Sequence, residues 1–272
     1  MMIFFCLTGL LSCSSPQPKQ ETENPQQQSP VSQVHDEHFP VDSLIASVTC
    51  LTNPSQSFAL YLPPNYDDTS KLPVIIFFDP HGSGSFPVKK YRLLAKEFGC
   101  ILMGSNNSRN GVSFDETNQI ANTLIQETRN RFHVHEKRIT LAGFSGGAKV
   151  ALAASENNNL VTEIIYAGAA SPIQHPAPSL SILGFAGVND MNYTDLISFD
   201  QSLKASNLSH FLIEWNGKHE WPDSTVFGDA FYWSSFNGMR NHLLPENDAL
   251  INRFIQSEKK NMPASGDPLA AA

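Results

Sequence analysis

The stretch RITLAGFSGGAKVALAAS, residues 138–155, changes its pattern at Ser145. The seven residues before Ser145 form an apolar run that favours a strand, whereas the residues after it suit a helix. Ser145 is therefore predicted to lie at a sharp strand-to-helix turn, with Gly143 and Gly147 two residues to either side. Such a turn strains its central residue and brings the flanking positions too close together for side chains. The pattern predicts an exposed hydroxyl at the start of a helix.

Strand-like and helix-like segments alternate on both sides of this turn. Strands are predicted at 45–51, 57–62, 72–78, 100–104, 138–144, 160–167, 180–186 and 210–215. Helices are predicted at 88–98, 114–132, 146–155, 226–240 and 249–259. The first two strands form a hairpin around Asn53-Pro54-Ser55. This alternation predicts an α/β fold, in which helices cover both faces of a mostly parallel eight-stranded sheet. About a dozen residues separate the strands ending near Ala167 and beginning near Leu180, which leaves no room there for a cap domain.

The composition excludes some classes of function. The 272 residues carry 18 Lys and Arg against 26 Asp and Glu, a net charge of −8. A chain this acidic, without a basic stripe, does not suit a phosphate backbone, so nucleic acid is excluded as a partner. After the N-terminus, no apolar run reaches the roughly 20 residues that a membrane-spanning helix needs.

The N-terminus predicts export. Residues 1–12 (MMIFFCLTGLLS) have the length of a secretory signal peptide, and Leu10-Leu11-Ser12-Cys13 resembles the lipobox of bacterial lipoproteins. Lipidation of Cys13 would make this lipid anchor the protein's only attachment to a membrane, in the periplasm or at the cell surface. A plain signal peptide, or a buried strand that happens to contain Cys13, are the alternatives.

Composition then divides the rest of the chain. Residues 13–35 are rich in Gln, Pro and Ser and predict a flexible tether, because they cannot bury enough apolar surface to offset their chain entropy. Residues 36–260 form the predicted α/β domain, and residues 261–272 a polar, Ala-rich tail.

A Ser hydroxyl is a weak nucleophile without a base, and the sequence offers a candidate. His219 follows the last predicted strand, and ligands bind at the carboxyl ends of strands in such sheets. Asp190, directly after the strand 180–186, would orient the imidazole and stabilise its charged form. The order Ser145, Asp190, His219 is one that a Ser-His-Asp triad adopts. The alternative acids are Asp195, Asp200 and Glu214.

Two further sets of residues complete the predicted site. The backbone N–H of Gly146 and an N–H from Gly82 or Ser83 would form an oxyanion hole, although His81-Gly82 could instead be a tight turn. Trp221 and Phe185 are candidates for contact with a substrate, with a place in the core as the alternative.

No metal or organic cofactor is predicted. His133 and His135 form an H-x-H pair that could bind a metal, but no third ligand lies beside them in the sequence. Solvated histidines in a loop before the strand 138–144 are the simpler interpretation.

Several stretches together resemble the serine esterases of the α/β-hydrolase superfamily, and within them polyhydroxybutyrate-depolymerase-like and feruloyl-esterase-like carboxylesterases. They are QSFALYLPPNY at 56–66, HGSG at 81–84, HVHEKRITLAGFSGGAKVA at 133–151, GVND at 187–190 and GKHEWP at 217–222. The resemblance spans about residues 40–245. The chain departs from it at Lys218, where the family usually has a glycine, and at His135, where it often has an aspartate.

The resemblance implies a serine carboxylesterase that works through Ser145, His219 and Asp190 and an acyl-enzyme. The missing cap favours bulky or polymer-attached esters over small buried ones. A serine peptidase or thioesterase is the alternative within enzymes, because the same triad cleaves amides and thioesters. From another class, an inactive hydrolase fold could act as a binding protein at the cell surface.

The resemblance also bears on the cysteines left after processing. In this fold the second strand separates the first from the fourth, which would place Cys50 and Cys100 about 9–10 Å apart. A disulfide needs Cα atoms within about 7 Å. Two free thiols are therefore expected.

Overall fold

The computed structural model describes residues 37–67, 69–156 and 158–261. Within them the strands are β1 (Leu44–Thr49), β2 (Ser57–Tyr61), β3 (Leu72–Phe78), β4 (Ile101–Ser105), β5 (Val134–Phe144), β6 (Glu163–Ala167), β7 (Ser181–Gly187) and β8 (Ser209–Trp215). The helices are α1 (Ser85–Phe98), α2 (Phe114–Arg131), α3 (Gly146–Ala154), α4 (Tyr193–Leu203), α5 (Ser224–Arg240) and α6 (Asp248–Asn261). The predicted signal peptide, Cys13, the tether and the tail beyond Asn261 lie outside the described residues.

The strands form one sheet in the order β1-β2-β4-β3-β5-β6-β7-β8. β2 pairs antiparallel with both β1 and β4, and every other neighbouring pair is parallel. The predicted mostly parallel sheet, with eight strands in the described residues and an opening hairpin, is confirmed. Residues 168–180, between β6 and β7, contain no helix or strand, so no cap domain is inserted there.

Each face of the sheet buries its own apolar cluster. β3 shows why, because all seven of its residues are buried and its successive side chains point to opposite faces. Val74, Ile76 and Phe78 pack on the face covered by α2, α3 and α4. Ile75 and Phe77 pack on the face covered by α1 and α5.

The two described cysteines illustrate this division. Cys50 belongs to the first cluster and Cys100 to the second. Their side chains therefore lie on opposite faces of the sheet, in addition to being separated by β2. Both are free thiols, as expected.

One helix and three boundaries differ from the sequence-based predictions, and one of these boundaries is the start of β6, at Glu163 instead of residue 160. α4 was not predicted, although Leu196, Phe199 and Leu203 are buried at helical spacing. β5 begins at Val134, so His135 lies in a strand and not in a loop. α1 begins at Ser85, three residues before the predicted start.

The loops that matter most for function follow the carboxyl ends of the strands. Residues 79–84 follow β3, residues 106–113 follow β4, and Ser145 follows β5. The turn after β7 and the loop after β8 supply Asp190 and His219. Parallel strands bring these loops to one edge of the sheet. In the described part of the chain, no helix has the length and apolar character needed to cross a membrane.

Candidate active site

Ser145 adopts the strained backbone that the sequence predicts. Its φ of 53° is positive, a conformation rare for residues other than glycine, and its ψ is −120°. Its N–H donates to the Ala167 carbonyl oxygen at 2.8 Å, and its own carbonyl oxygen accepts from the Ala148 N–H at 3.0 Å. The end of β6 and the first turn of α3 therefore hold the turn from both sides.

The two flanking glycines are required by close backbone contacts. A Cβ atom at Gly143 would lie 2.1 Å from the Gly147 carbonyl oxygen. A Cβ atom at Gly147 would lie 1.9 Å from the carbonyl oxygen of Phe78, at the end of β3. Backbone atoms cannot move away as a flexible side chain can, so any larger residue would distort the turn that presents Ser145.

Ser145, His219 and Asp190 form a continuous hydrogen-bonded chain. His219 Nε2 lies 3.0 Å from Ser145 Oγ, and His219 Nδ1 lies 2.9 and 3.1 Å from the two carboxylate oxygens of Asp190. The Asp190 side chain is 2% exposed and the His219 side chain 24%. A buried acid, a half-buried imidazole and a hydroxyl in this geometry suit proton transfer from Ser145 to His219.

The alternative acids lie in other contacts. Asp195 is in the first turn of α4, and Asp200 pairs with Lys204 and approaches His210. Glu214 accepts a hydrogen bond from the Tyr193 hydroxyl. Among the four acids considered from the sequence, Asp190 is the one hydrogen-bonded to His219. The Asn192 N–H also donates to Asp190 Oδ1 at 2.8 Å, which fixes the carboxylate further.

The imidazole of His219 is held in a slot that sequence analysis missed. Its ring lies against Phe144, with 4.8 Å between the ring centroids. Gly168 forms another wall, with a φ of +70°. A Cβ atom at Gly168 would lie 3.2 Å from His219 Cε1 and 2.4 Å from Phe144 Cε2. The available signal was a glycine directly after β6.

Asp79 is a second residue that sequence analysis missed, although it opens the loop in which Gly82 and Ser83 were assigned to the oxyanion hole. Its buried carboxylate accepts from the His81 N–H and from the indole Nε1–H of Trp221, both at 2.9 Å. One bond lies within the loop after β3, and the other reaches the loop that carries His219. Asp79 therefore joins two parts of the site that are 142 residues apart in the sequence.

α1 supports the same loop. The Tyr91 hydroxyl donates to the Pro222 carbonyl oxygen at 2.7 Å, and Lys90 Nζ donates to that of Trp221 at 3.3 Å. The loop carrying His219 is thus anchored by α1 as well as by Asp79.

The prediction that Trp221 and Phe185 line the site is wrong. Phe185 is 0% exposed and stacks on Phe227 with 5.5 Å between ring centroids. Trp221 is 4% exposed and directs its N–H to Asp79. Both side chains point into the core on the α1 and α5 face, so they support the site from beneath.

The residues proposed for the oxyanion hole lie at the start of α3 and in the loop after β3. Gly146 is the first residue of α3, where backbone N–H groups lack partners within the helix. Gly82 has a φ of +68°, and its N–H donates to the Asp79 carbonyl oxygen at 3.1 Å. Because that bond occupies Gly82, Ser83 is the better candidate for the second donor.

The H-x-H pair lies elsewhere, around the start of β5. Half-burial and the nearby Arg138 lower the pKa of His135. Within the described residues, no three His, Cys, Asp or Glu side chains form a group that could hold a metal ion.

Comparison with known proteins bears on the fold of the chain. No family model matches the chain, and no curated protein matches it. An esterase from Pyrobaculum calidifontis is similar, with 13% identity, a TM-score of 0.56, and coverage of 74% of this chain and 85% of that one. Esterase B from Lactobacillus rhamnosis has 15% identity and a TM-score of 0.58, and the match covers 77% of this chain and 93% of that one. An S-formylglutathione hydrolase from Staphylococcus aureus has 14% identity and a TM-score of 0.55, and the match covers 71% of this chain and 97% of that one. At such low identity the likeness shows the fold alone: the chain has the α/β-hydrolase fold.

Proposed function

We propose that this protein is a serine hydrolase that cleaves carboxylic esters. The observation that carries the proposal is the hydrogen-bonded chain from Asp190 through His219 to Ser145, with Ser145 on a strained turn. Such strain is retained where the surrounding structure enforces it, and it often marks a functional residue. The esterases among the similar structures support the same chemistry.

The first half of the reaction forms an acyl-enzyme. Ser145 Oγ attacks the ester carbonyl carbon while His219 Nε2 takes its proton, and Asp190 stabilises the resulting imidazolium through Nδ1. The carbonyl oxygen becomes an oxyanion that accepts from the Gly146 and Ser83 N–H groups, aided by the positive end of α3. The intermediate then collapses, and His219 gives its proton to the departing alcohol.

The second half releases the acid. A water molecule takes the place of the alcohol, and His219 removes its proton as the water attacks the acyl-enzyme carbon. The second tetrahedral intermediate uses the same oxyanion hole. When it collapses, Ser145 Oγ regains the proton from His219 and the carboxylic acid leaves.

Bulky or polymer-attached esters are the proposed substrates. The residues between β6 and β7 form a short connection without a helix or strand, so they form no cap domain over Ser145. A thioester is the second candidate, because one of the similar structures is an S-formylglutathione hydrolase, whose named substrate is a thioester. An inactive binding protein is disfavoured, since all three triad side chains are present and hydrogen-bonded.

Hydrolysis of p-nitrophenyl acetate and butyrate tests the proposal. Ser145→Ala and His219→Ala should each lower kcat by at least about a thousandfold, because the triad acts as a unit. Ser198→Ala, which removes an exposed hydroxyl in α4, should leave kcat unchanged. The same acyl groups as thioesters and p-nitroanilides rank ester against thioester and amide. Activity that survives Ser145→Ala would refute the proposed nucleophile.

Export and lipid anchoring are proposed on the sequence of residues 1–35 alone. Metabolic labelling with a radioactive fatty acid in a bacterial host should mark the protein, and Cys13→Ser should abolish the label. Labelling that persists in Cys13→Ser would contradict the lipobox interpretation.

A further inference from the structure

We propose that Asn110 donates a third hydrogen bond to the oxyanion, an inference that rests on the proposed function. Asn110 lies in residues 106–113, the loop that follows β4, and its side chain is exposed. Sequence analysis assigned no role to this loop. The structure places its carboxamide directly beside Gly146, the residue whose N–H is the first proposed oxyanion donor.

The contact with Gly146 defines the position of the carboxamide. A Cβ atom at Gly146 would lie 1.9 Å from Asn110 Oδ1 and 3.6 Å from Asn110 Nδ2. The carboxamide therefore occupies the space that a side chain at position 146 would need. The proposal places an oxyanion bound to the Gly146 N–H within hydrogen-bonding reach of this carboxamide.

The loop that carries Asn110 is bonded to the loop after β3, which carries the other proposed backbone donor. The Asn110 N–H donates to the Pro80 carbonyl oxygen at 2.8 Å, and Arg109 forms a β-bridge with His81. These bonds join residues 106–113 to the loop after β3, which carries Ser83. The backbone of Asn110 is thus tied to the loop that carries Ser83, one of the two proposed backbone donors.

A third donor has a physical role here. The N–H of Gly82 is already bonded to the Asp79 carbonyl oxygen, so residues 82 and 83 supply one free donor to the hole and not two. A carboxamide offers both an acceptor and two N–H donors, and rotation about its last bond exchanges them. Turning Nδ2 towards the substrate lets Asn110 stabilise the charge that develops in the transition state, where a donor has its greatest effect.

The test compares two substitutions at position 110. Asn110→Ala removes the carboxamide, whereas Asn110→Asp keeps its shape but replaces the donor by a negative charge. We expect Asn110→Ala to lower kcat about 10- to 100-fold with little change in KM, and Asn110→Asp to lower it further. A trifluoromethyl ketone, which forms a tetrahedral adduct with serine, should lose affinity by a similar factor. Asn252→Ala, which removes an exposed carboxamide from α6, is the matched control and should retain kcat.

The outcomes separate this inference from the proposed function. Far-UV circular dichroism and urea unfolding first establish that both variants fold as the parent does. An unchanged kcat in Asn110→Ala, or a loss confined to KM with undiminished ketone affinity, would overturn the role of Asn110. If Ser145→Ala is inactive in the same assay, the serine hydrolase proposal still stands. If Ser145→Ala is active, the proposed function itself fails.

Discussion

The bond between Asp79 and Trp221 offers a quantitative test of how the site is built. Asp79 is 3% exposed and Trp221 4%, and the 2.9 Å bond between them links the loop after β3 to the loop that carries His219. Asp79→Ala removes the acceptor and leaves the indole N–H buried without its partner. Trp221→Phe removes the donor while keeping an aromatic ring in the core.

The expected energies follow from the chemistry of this bond. A hydrogen bond to an ionised group contributes about 1.5–3 kcal/mol to folding, and a buried group left unpaired costs a similar amount. Asp79→Ala also removes the acceptor of the His81 N–H, so it should lower the free energy of unfolding by about 3–5 kcal/mol. The double-mutant cycle should yield a coupling of about 1.5–3 kcal/mol between the two side chains.

Urea unfolding followed by far-UV circular dichroism measures the four free energies of the cycle. The signal does not depend on Trp221 fluorescence, which the substitution would remove. Because the loop also positions His219, each single variant should lower kcat for p-nitrophenyl butyrate in addition to stability. Free energies that add within about 0.5 kcal/mol would refute the claim that this bond joins the two loops.

Three further predictions concern other parts of the described chain. Gly147→Ala should destabilise the fold by more than about 3 kcal/mol, because its Cβ atom would overlap backbone atoms. Gly228→Ala is the control: its Cβ atom would lie 3.6 Å from Leu94 Cδ2, so urea unfolding should show a neutral or stabilising effect. Burial raises the pKa of Cys50 and of Cys100 to about 12; peptide-resolved alkylation at pH 8 should therefore modify neither thiol until the protein is unfolded. Burial, and then the nearby Glu258, raise the pKa of Asp229 to about 6 from 3.8. The folded state binds that proton more tightly, so this group lowers stability as the pH rises from about 4 to about 6. Allowing for solvent screening, Asp229→Asn should stabilise by about 1 kcal/mol at pH 7 and by nothing near pH 3.5, and an equal effect at both values would contradict this.

The sequence predicted the parts of the site that depend on local pattern. The strand-to-helix turn was predicted from Gly143, Ser145 and Gly147, because backbone crowding acts over a few neighbouring residues. Asp190 and His219 could be proposed as partners of Ser145 because each follows a predicted strand, and a parallel sheet gathers such residues at one edge. The structure brings all three triad side chains within hydrogen-bonding distance.

Residues whose roles depend on contacts distant in sequence were not predictable. Asp79 looks like an ordinary turn residue until Trp221, far along the chain, is seen to donate to it. Asn110 lies among polar residues that have no periodic pattern. The sequence left two environments open for Phe185 and Trp221, because an aromatic residue near a strand end can point either into the core or towards a ligand. The structure places both in the core.

The most direct test of the central claim is reaction of the full chain with a fluorophosphonate probe, followed by peptide mass spectrometry. Such a probe phosphonylates a serine whose hydroxyl is activated by a neighbouring base. A single adduct on Ser145 is predicted, with none in Ser145→Ala and greatly slowed labelling in His219→Ala. An unlabelled folded protein, or an adduct on a different serine, would contradict the assignment of Ser145 as the nucleophile.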